Sequence, residues 1–154
     1  MSEKIQKFRQ EIDSIDQKIL QLLSSRGKKV IQIGKLKQKS KANFHVPERE
    51  RKIFESLKKN NPGPFNDAAI ETIFREVISA SLALESPLKV AYFGPEATFT
   101  HMAAIKRFGL SAEFHPQASI SEVFQTVFLN KANYGVVPIE NSTAGIVSHT
   151  LDLF

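Results

Sequence analysis

The 154-residue sequence has no cysteine, no tryptophan and no long apolar run. Without cysteine the chain can form neither a disulfide nor a thiolate metal site. A membrane-spanning helix needs roughly 20 successive apolar residues, and the opening Met1-Ser-Glu-Lys segment lacks the apolar stretch of a secretory signal. We therefore expect a cytoplasmic protein with no membrane partner. Its 42% hydrophobic residues are enough for the core of one ordinary domain or two small ones.

The net charge of +5 conceals an asymmetry between the two parts of the chain. Residues 1–60 hold 16 Lys and Arg against 7 Asp and Glu, whereas residues 61–154 hold 5 against 9. Nucleic acid, a small polyanionic substrate and an ordinary solvent-exposed lysine face are three explanations of such a basic surplus. The composition alone leaves all three open.

Apolar periodicity and helix breakers predict an all-α domain of three helices over residues 1–86 and a partial α/β domain over residues 87–154. The three helices are expected at about Glu3 to Lys39, at Pro47 to about Lys59, and from an N-cap at Asn66. Strands are expected at residues 90–93, 112–115 and 134–139, with helices at 98–108, after a capping box at 119–122, and from near Gly145. This alternation predicts a parallel sheet, which with three strands is incomplete.

Arg26 interrupts the apolar stripe of the first helix. From Ile5 the stripe advances by alternating steps of three and four residues to Leu22, and the next position is this arginine. A desolvated arginine costs several kcal/mol unless an anion compensates it. The stripe therefore indicates that the helix binds an anion.

The length of the first helix predicts a dimer. About 37 residues at roughly 1.5 Å each span about 55 Å, whereas a compact domain of about 86 residues is on the order of 30 Å across. Half of the helix would protrude from a monomer, although its apolar stripe continues to Ile33. A second copy of the chain is the simplest cover, so we expect an intertwined helical homodimer.

Dimerisation also decides which cations can cooperate. Arg26 and Lys37 are eleven residues apart, so they share one face at a separation of about 16 Å. Arg9 lies about 25 Å from Arg26 along the helix and can join them only from an antiparallel partner chain. The second and third helices are expected to add four polar side chains to the same interior: Arg49, Glu50, Ser81 and Glu85.

These residues resemble known motifs over nearly the whole chain. Residues 1 to about 86 resemble the all-helical class of chorismate mutase, through Phe8-Arg-Gln-Glu-Ile-Asp-Ser-Ile-Asp16, Leu22-Leu-Ser-Ser-Arg26, Ile33-Gly-Lys-Leu-Lys37, Pro47-Glu-Arg-Glu50 and Ser81-Leu-Ala-Leu-Glu85. Residues 89–154 resemble the opening of prephenate dehydratase, through Phe93-Gly-Pro-Glu-Ala-Thr-Phe-Thr-His101 and Val137-Pro-Ile-Glu-Asn-Ser142. In this order they look like a bifunctional chorismate mutase/prephenate dehydratase of phenylalanine biosynthesis.

The resemblance implies an isomerase that converts chorismate, a dicarboxylate, to prephenate without nucleophile, metal or cofactor. Arg26 and the partner's Arg9 would hold the carboxylates with help from Ser81, and Lys37 would serve a carboxylate and the ether oxygen. Glu50 would accept from the substrate hydroxyl, and Arg49 would add positive potential. Orientation and stabilisation of the charge that develops on the ether oxygen would supply the catalysis.

Two positions depart from the pattern of many relatives. Glu85 stands where they have glutamine, and a glutamate can donate to the ether oxygen only when it is protonated. We therefore predict that catalysis weakens as pH rises and that Glu85→Gln flattens this dependence. Val46 stands where some relatives have an acidic residue near the substrate hydroxyl, which leaves Glu50 or backbone to serve it.

The dehydratase-like part is expected to be inactive. The resemblance places Thr98, Glu140, Asn141 and Ser142 on one wall of a cleft, but the family's Thr-Arg-Phe motif does not occur in this sequence. Ala97 replaces the glycine of the usual Gly-Pro-x-Gly-Thr motif. His101 and His115 could act as acid or base, yet a place on a helix surface or in a loop is the simpler interpretation.

Two other functions remain as alternatives. One is a dimeric nucleic-acid-binding regulator with a basic helical head and an α/β ligand-sensing module, and the other is a head that serves dimerisation alone. A regulator needs a short recognition helix after a tight turn, whereas this head has one long helix with cations on its buried side. We therefore expect no nucleic-acid partner.

Overall fold

The computed structural model describes residues 2–40, 45–141 and 145–153. These residues form two compact units, Met1–Asn43 and Phe44–Phe154. Within the described ranges, no helix has both the length and the apolar character that are needed to cross a membrane.

The first unit is one long helix, α1 (Ser2–Ser40). Its 39 residues span about 58 Å at 1.5 Å per residue, which confirms the long first helix predicted from the sequence. Its apolar stripe is 48–69% exposed at Ile5, Phe8, Ile12, Ile15, Ile19 and Leu22. A single helix cannot bury its own stripe, so this unit holds no core of its own.

The second unit begins with two helices, α2 (Pro47–Lys59) and α3 (Asp67–Glu85), as the sequence predicts. Pro47 occupies the start of α2, where its missing N–H costs nothing. The Asn66 side chain caps α3 by accepting a hydrogen bond of 2.8 Å from the backbone N–H of Ala69. Both helix starts thus follow from local chemistry.

A parallel sheet of three strands follows, formed by β1 (Lys89–Phe93), β2 (Glu113–Gln117) and β3 (Tyr134–Val136). The strand order is β2-β1-β3. In the register, Val90 of the central strand pairs with Phe114 on one side and with Tyr134 on the other. The connecting helices are α4 (Phe99–Phe108) and α5 (Ile120–Phe128). The predicted parallel α/β layer is confirmed.

The two faces of the sheet carry separate apolar clusters. On one face Val90 and Ala104 are fully buried among half-buried aromatic and aliphatic side chains that include Phe108 and Tyr134. On the other face Ala91 packs with Val123 of α5. Successive residues of a strand point to opposite faces, so the adjacent pair Val90 and Ala91 fixes α4 and α5 on opposite sides.

The end of the chain differs from the prediction. A helix from near Gly145 was expected, but Gly145–Ile146 is a short strand, β5, that pairs antiparallel with β4 (Glu140–Asn141). Gly145 has φ +73°, a left-handed conformation outside the helical region. Helix α6 (Ser148–Leu151) begins only three residues later. Strand β3 also ends at Val136, before Pro138, rather than at residue 139.

Helix α3 is anchored to the turn between α4 and β2. The Glu76 carboxylate accepts from the backbone N–H of Leu110 at 3.0 Å, and the Ser79 hydroxyl accepts from that of Ser111 at 3.1 Å. Gly109 has φ +78°, and a Cβ at this position would collide with the Cβ of Ser79. The glycine therefore permits both the turn and the close approach of α3.

Candidate active site

Three of the predicted site residues lie on α1. Because this helix is continuous from Ser2 to Ser40, Arg26 and Lys37 share one face about 16 Å apart, and Arg9 lies about 25 Å from Arg26. Burial lowers the pKa of Arg26 below its usual value. The spacing on which the sequence argument depends is therefore present in the helix.

The other four predicted residues lie on α2 and α3. Glu50 and Ser81 are buried, Glu85 is half-buried at the end of α3, and Arg49 is exposed. The Ser81 hydroxyl donates to the carbonyl of Val77 at 2.5 Å, one turn earlier in the helix. Burial of a carboxylate and a hydroxyl on neighbouring helices is costly unless both have partners, so these two residues mark a polar interior.

Glu50 is the centre of a charged cluster. Its Oε1 accepts from Nη1 of Arg107 at 2.7 Å and from Nη1 of Arg75 at 3.0 Å. Its Oε2 lies 2.9 Å from Nε2 of His45. Burial alone would raise the pKa of Glu50, but hydrogen bonds from His45 and Arg107 and the charge of Arg107 lower it to about 2. The carboxylate is therefore ionised at neutral pH.

Arg75 is held from several directions. Its guanidinium lies 4.7 Å from the ring centroid of Phe54. Nη1 also donates to the backbone carbonyl of Arg107 at 2.8 Å, and Nη2 donates to Glu71 at 3.0 Å. These contacts fix the guanidinium beside Glu50 and tie α3 to the end of α4.

The cluster extends to the sheet through His45. Its Nδ1 lies 2.7 Å from the hydroxyl of Tyr134, at the start of β3. An ionised carboxylate can only accept, so His45 donates from Nε2 to Glu50. The role of Nδ1 toward the Tyr134 hydroxyl depends on the tautomer of the ring. Tyr134, His45 and Glu50 thus form one connected chain of hydrogen bonds.

An open cleft of about 780 Å³ lies beside this cluster and is lined by Glu50, Phe54, Arg75 and Arg107 among others. Its remaining cations are already paired, Lys58 with Glu71 at 2.7 Å and Arg51 with Glu55 at 3.7 Å. The charges of the cleft therefore balance one another, which argues against a free anion site there.

Sequence reasoning missed the partners of Glu50, namely His45, Arg75, Arg107 and Tyr134. Arg75 and Arg107 follow Glu50 by 25 and 57 residues, and Tyr134 follows His45 by 89. No local spacing connects such distant positions. The one available signal was Glu50 itself, since an acid that is buried needs cations nearby.

The predicted dehydratase residues have mainly structural contacts. The Thr98 hydroxyl caps α4 by accepting from the backbone N–H of His101 at 3.3 Å, and Glu140 is exposed. Asn141 pairs with Gly145 between the two short strands, and Ser142 lies outside the described residues. Ala97 has φ +62°, the left-handed conformation that explains the glycine of the usual motif.

The two histidines of this part occupy different positions. His101 lies on α4 and stacks on Tyr92 at a centroid distance of 4.6 Å, while its Nδ1 accepts from the N–H of Ala97 at 3.1 Å. His115 lies on β2 rather than in a loop or on a helix, 3.8 Å from Glu113. Neither arrangement indicates an acid or base.

Comparison with known proteins shows where the two parts of the chain belong. Residues 8–86 match the model of the family described as chorismate mutase type II, and residues 90–154 match that of prephenate dehydratase. The helices thus define a helical mutase, followed by part of an α/β dehydratase fold. The chain belongs to the chorismate mutase type II family. These matches do not support the alternative of a nucleic-acid-binding regulator.

Individual relatives agree with the family match. The bifunctional chorismate mutase/prephenate dehydratase of Aquifex aeolicus is 49% identical over 99% of this chain, and that of Pseudomonas aeruginosa is 43% identical over 99%. The chain spans 43% of the length of each of these relatives. A solved chorismate mutase of Thermus thermophilus is 41% identical, with a TM-score of 0.53 over 53% of this chain and 93% of that one.

Proposed function

We propose that the chain catalyses the rearrangement of chorismate to prephenate, a step of phenylalanine biosynthesis, in its helical part. The observation that carries the proposal is the family match over residues 8–86, which covers all seven predicted site residues. The burial of Glu50 and Ser81 adds support, because buried polar groups on facing helices suit a polar ligand better than a plain core.

The reaction is an intramolecular pericyclic step, so the protein supplies shape and charge. Arg26 and Arg9 of a second copy grip the two carboxylates of chorismate, with Ser81 assisting. Lys37 serves a carboxylate and the ether oxygen. Holding the chair-like conformer lowers the entropic cost of the reaction, and cations near the ether oxygen stabilise its developing negative charge.

Glu50 and Glu85 have opposite roles in this proposal. Glu50 is ionised, so it can only accept, which suits a contact with the substrate hydroxyl. Glu85 donates to the ether oxygen and must be protonated to do so. Arg49 adds positive potential from the exposed side of α2. No cofactor or metal has a role in this chemistry.

The proposal includes a homodimer intertwined through α1. The apolar stripe of this helix is about half-exposed from Ile5 to Leu22. Monomeric proteins rarely expose so long a continuous apolar surface. An antiparallel copy of α1 would cover the stripe and bring its Arg9 toward Arg26. The site then contains residues of both chains.

We place the boundary between the mutase domain and the dehydratase-like domain at residues 86 and 87, and we propose a cytoplasmic location. Thr98, Glu140, Asn141 and Ser142 would line one wall of a dehydratase cleft. Because the sequence has no Thr-Arg-Phe segment, we expect the 154-residue chain to form prephenate without dehydrating it.

One assay tests the proposed function. Purified chain is given chorismate, and the loss of chorismate and the appearance of phenylpyruvate are followed in the same tube. We expect chorismate loss that yields prephenate and no phenylpyruvate. Lys52→Met serves as a surface control, since this lysine is exposed, pairs with Glu48 and does not line the cleft. A wild-type chain that leaves chorismate unchanged would overturn the proposal.

A further inference from the structure

The carboxylate that the proposed mutase needs is held by residues of the α/β layer. Glu50 lies on α2, whereas Arg107 lies in the last turn of α4 and Tyr134 begins β3. Arg107 contacts Glu50 directly at 2.7 Å, and Tyr134 reaches it through His45 by contacts of 2.7 and 2.9 Å. Two side chains of the layer, Arg107 and Tyr134, thus reach the same carboxylate of α2, one directly and one through His45.

Further contacts anchor the α/β layer to α3 beside the cluster. Ser79 and Glu76 of α3 hold the turn that follows α4, and Gly109 allows their close approach. Arg75 donates to the backbone carbonyl of Arg107 at 2.8 Å. Because α4 is anchored immediately after Arg107, the guanidinium is pre-organised on Oε1 of Glu50.

The arrangement leaves one acceptor site for a ligand. A carboxylate has about four lone-pair sites. Within the described ranges, Oε1 accepts from two arginines, whereas Oε2 has only His45 as a donor. The second lone pair of Oε2 is thus available to a hydroxyl. The protein contacts also keep the group ionised, since they lower the pKa of Glu50 to about 2.

We propose that Arg107 and Tyr134 of the α/β layer are positioning residues of the mutase site, which hold Glu50 as an oriented acceptor for the substrate hydroxyl. This proposal rests on the proposed mutase function. It makes the α/β layer part of the mutase, acting through one carboxylate, rather than a neighbour joined only by the chain.

The kinetic consequence is specific. The substrate hydroxyl takes no part in bond making or breaking, so Glu50 binds the ground state and the transition state about equally. Loss of its orientation should therefore raise KM and leave kcat nearly unchanged. Loss of Arg107 should also raise the pKa of Glu50, so that activity begins to fall at a higher pH as the solution is acidified.

The test uses full-length variants and follows chorismate loss from pH 2 to pH 8, a range that reaches down to the Glu50 pKa of about 2 in the wild type. For Arg107→Met we expect KM to rise about tenfold, the loss typical of one charge-assisted hydrogen bond, with kcat changed less than about threefold. The acid limb of kcat/KM should move up by about one pH unit. Arg107→Lys should recover most of both effects. Tyr134→Phe, which removes only the hydroxyl, should raise KM about threefold.

Two controls separate positioning from a general structural role. Lys52→Met removes an exposed cation of α2 that does not line the cleft, and it should alter neither KM nor the acid limb. In a Glu50→Gln background, Arg107→Met should have no further effect on either quantity, because the group that it positions is gone. Thermal unfolding of each variant shows that the fold is retained; the side chain of Arg107 is 47% exposed, so its loss opens no buried cavity.

The outcomes separate this proposal from the proposed function. An active wild type with unchanged KM and acid limb in Arg107→Met and Tyr134→Phe overturns the positioning role alone. A lower KM in Arg107→Met also overturns the positioning role, because the contact would then be inhibitory. The role is likewise overturned if Arg107→Met has the same effect in the Glu50→Gln background as in the wild type. A wild type that does not convert chorismate overturns both proposals.

Discussion

The long helix α1 and the unit that follows it differ in how their charged side chains are arranged. On α1 the apolar stripe is about half-exposed, and the predicted substrate cations Arg9, Arg26 and Lys37 are strung along more than about 40 Å of one helix. In the second unit the buried Glu50 has three partners within 3.0 Å, all from the same unit. The second unit thus completes its own charged centre, whereas α1 requires another surface to bury its stripe and gather its cations.

Arg26→Leu should break this contrast most strongly. The change restores an apolar residue to the stripe, so we expect the dimer to be at least as stable as the wild type. Mutase activity should fall about 10²- to 10³-fold, as expected when a substrate-binding cation is lost. We would measure chorismate turnover and the temperature of unfolding on the same samples. The first checks the loss of activity, and the second checks that stability is retained. A stable variant with full activity would contradict the assigned role of Arg26.

A charge on the stripe itself tests what covers α1. Ile15→Glu places a carboxylate in the middle of the proposed dimer contact, so we expect a monomer by sedimentation and an activity loss of about 10²-fold, because Arg9 of the second copy is removed. Gln17→Glu adds the same charge on the opposite side of the helix and should have no effect. If Ile15→Glu remains a dimer, the stripe is not the interface.

The charged centre of the second unit should make its stability depend on pH. The pKa of Glu50 is lowered from 4.5 to about 2 in the folded chain, so its contribution is present above about pH 4.5 and is lost as pH falls toward 2. It is on the order of 2 to 3 kcal/mol. Denaturant unfolding at pH 7 and pH 3 should show more than half of this loss in the wild type and a smaller loss in Glu50→Gln.

An exposed glutamate supplies the control for that measurement. Glu55 is ion-paired with Arg51 at 3.7 Å, and both side chains are about two-thirds exposed. Such pairs contribute little to stability. Glu55→Gln should therefore keep the wild-type pH dependence, and a flat pH dependence in the wild type itself would contradict the account of Glu50.

The smallest expected effect concerns Glu85. Because a glutamate donates only when protonated, wild-type kcat should decline as pH rises, whereas Glu85→Gln should give a flatter profile and about tenfold higher relative activity at the alkaline end. The measurement is kcat from pH 5 to pH 9 for both proteins. Parallel profiles would show that Glu85 is not the donor.

The helices and the sheet could be predicted because their signals are local. Pro47, Asn66 and Ser119 mark helix starts, and Ser119 does cap α5 by accepting from the N–H of Glu122 at 3.2 Å. The helix expected near Gly145 begins only at Ser148, because a left-handed glycine and an antiparallel pairing with Glu140–Asn141 occupy the predicted start. Strands of two residues are too short to show the alternation of apolar and polar residues by which strands are predicted.

Local and tertiary signals also differ among the residues of the candidate site. Arg26 could be singled out because a cation breaks the apolar period of its own helix. Arg107 and Tyr134 could not, because nothing in α4 or β3 alone indicates that they meet Glu50 or His45. Tertiary contacts between distant segments decide their role, and only the folded chain brings them together.

The most direct test of a site shared between two chains is complementation of two inactive variants. Arg9→Ala and Arg26→Leu are produced together with different affinity tags, and the doubly tagged protein is isolated. In such a mixed dimer one site has both wild-type arginines and the other has neither, so we predict about half of the wild-type activity per dimer, although each variant alone is nearly inactive. If the mixed dimer is as inactive as the parents, Arg9 does not act from the partner chain and the account of α1 fails.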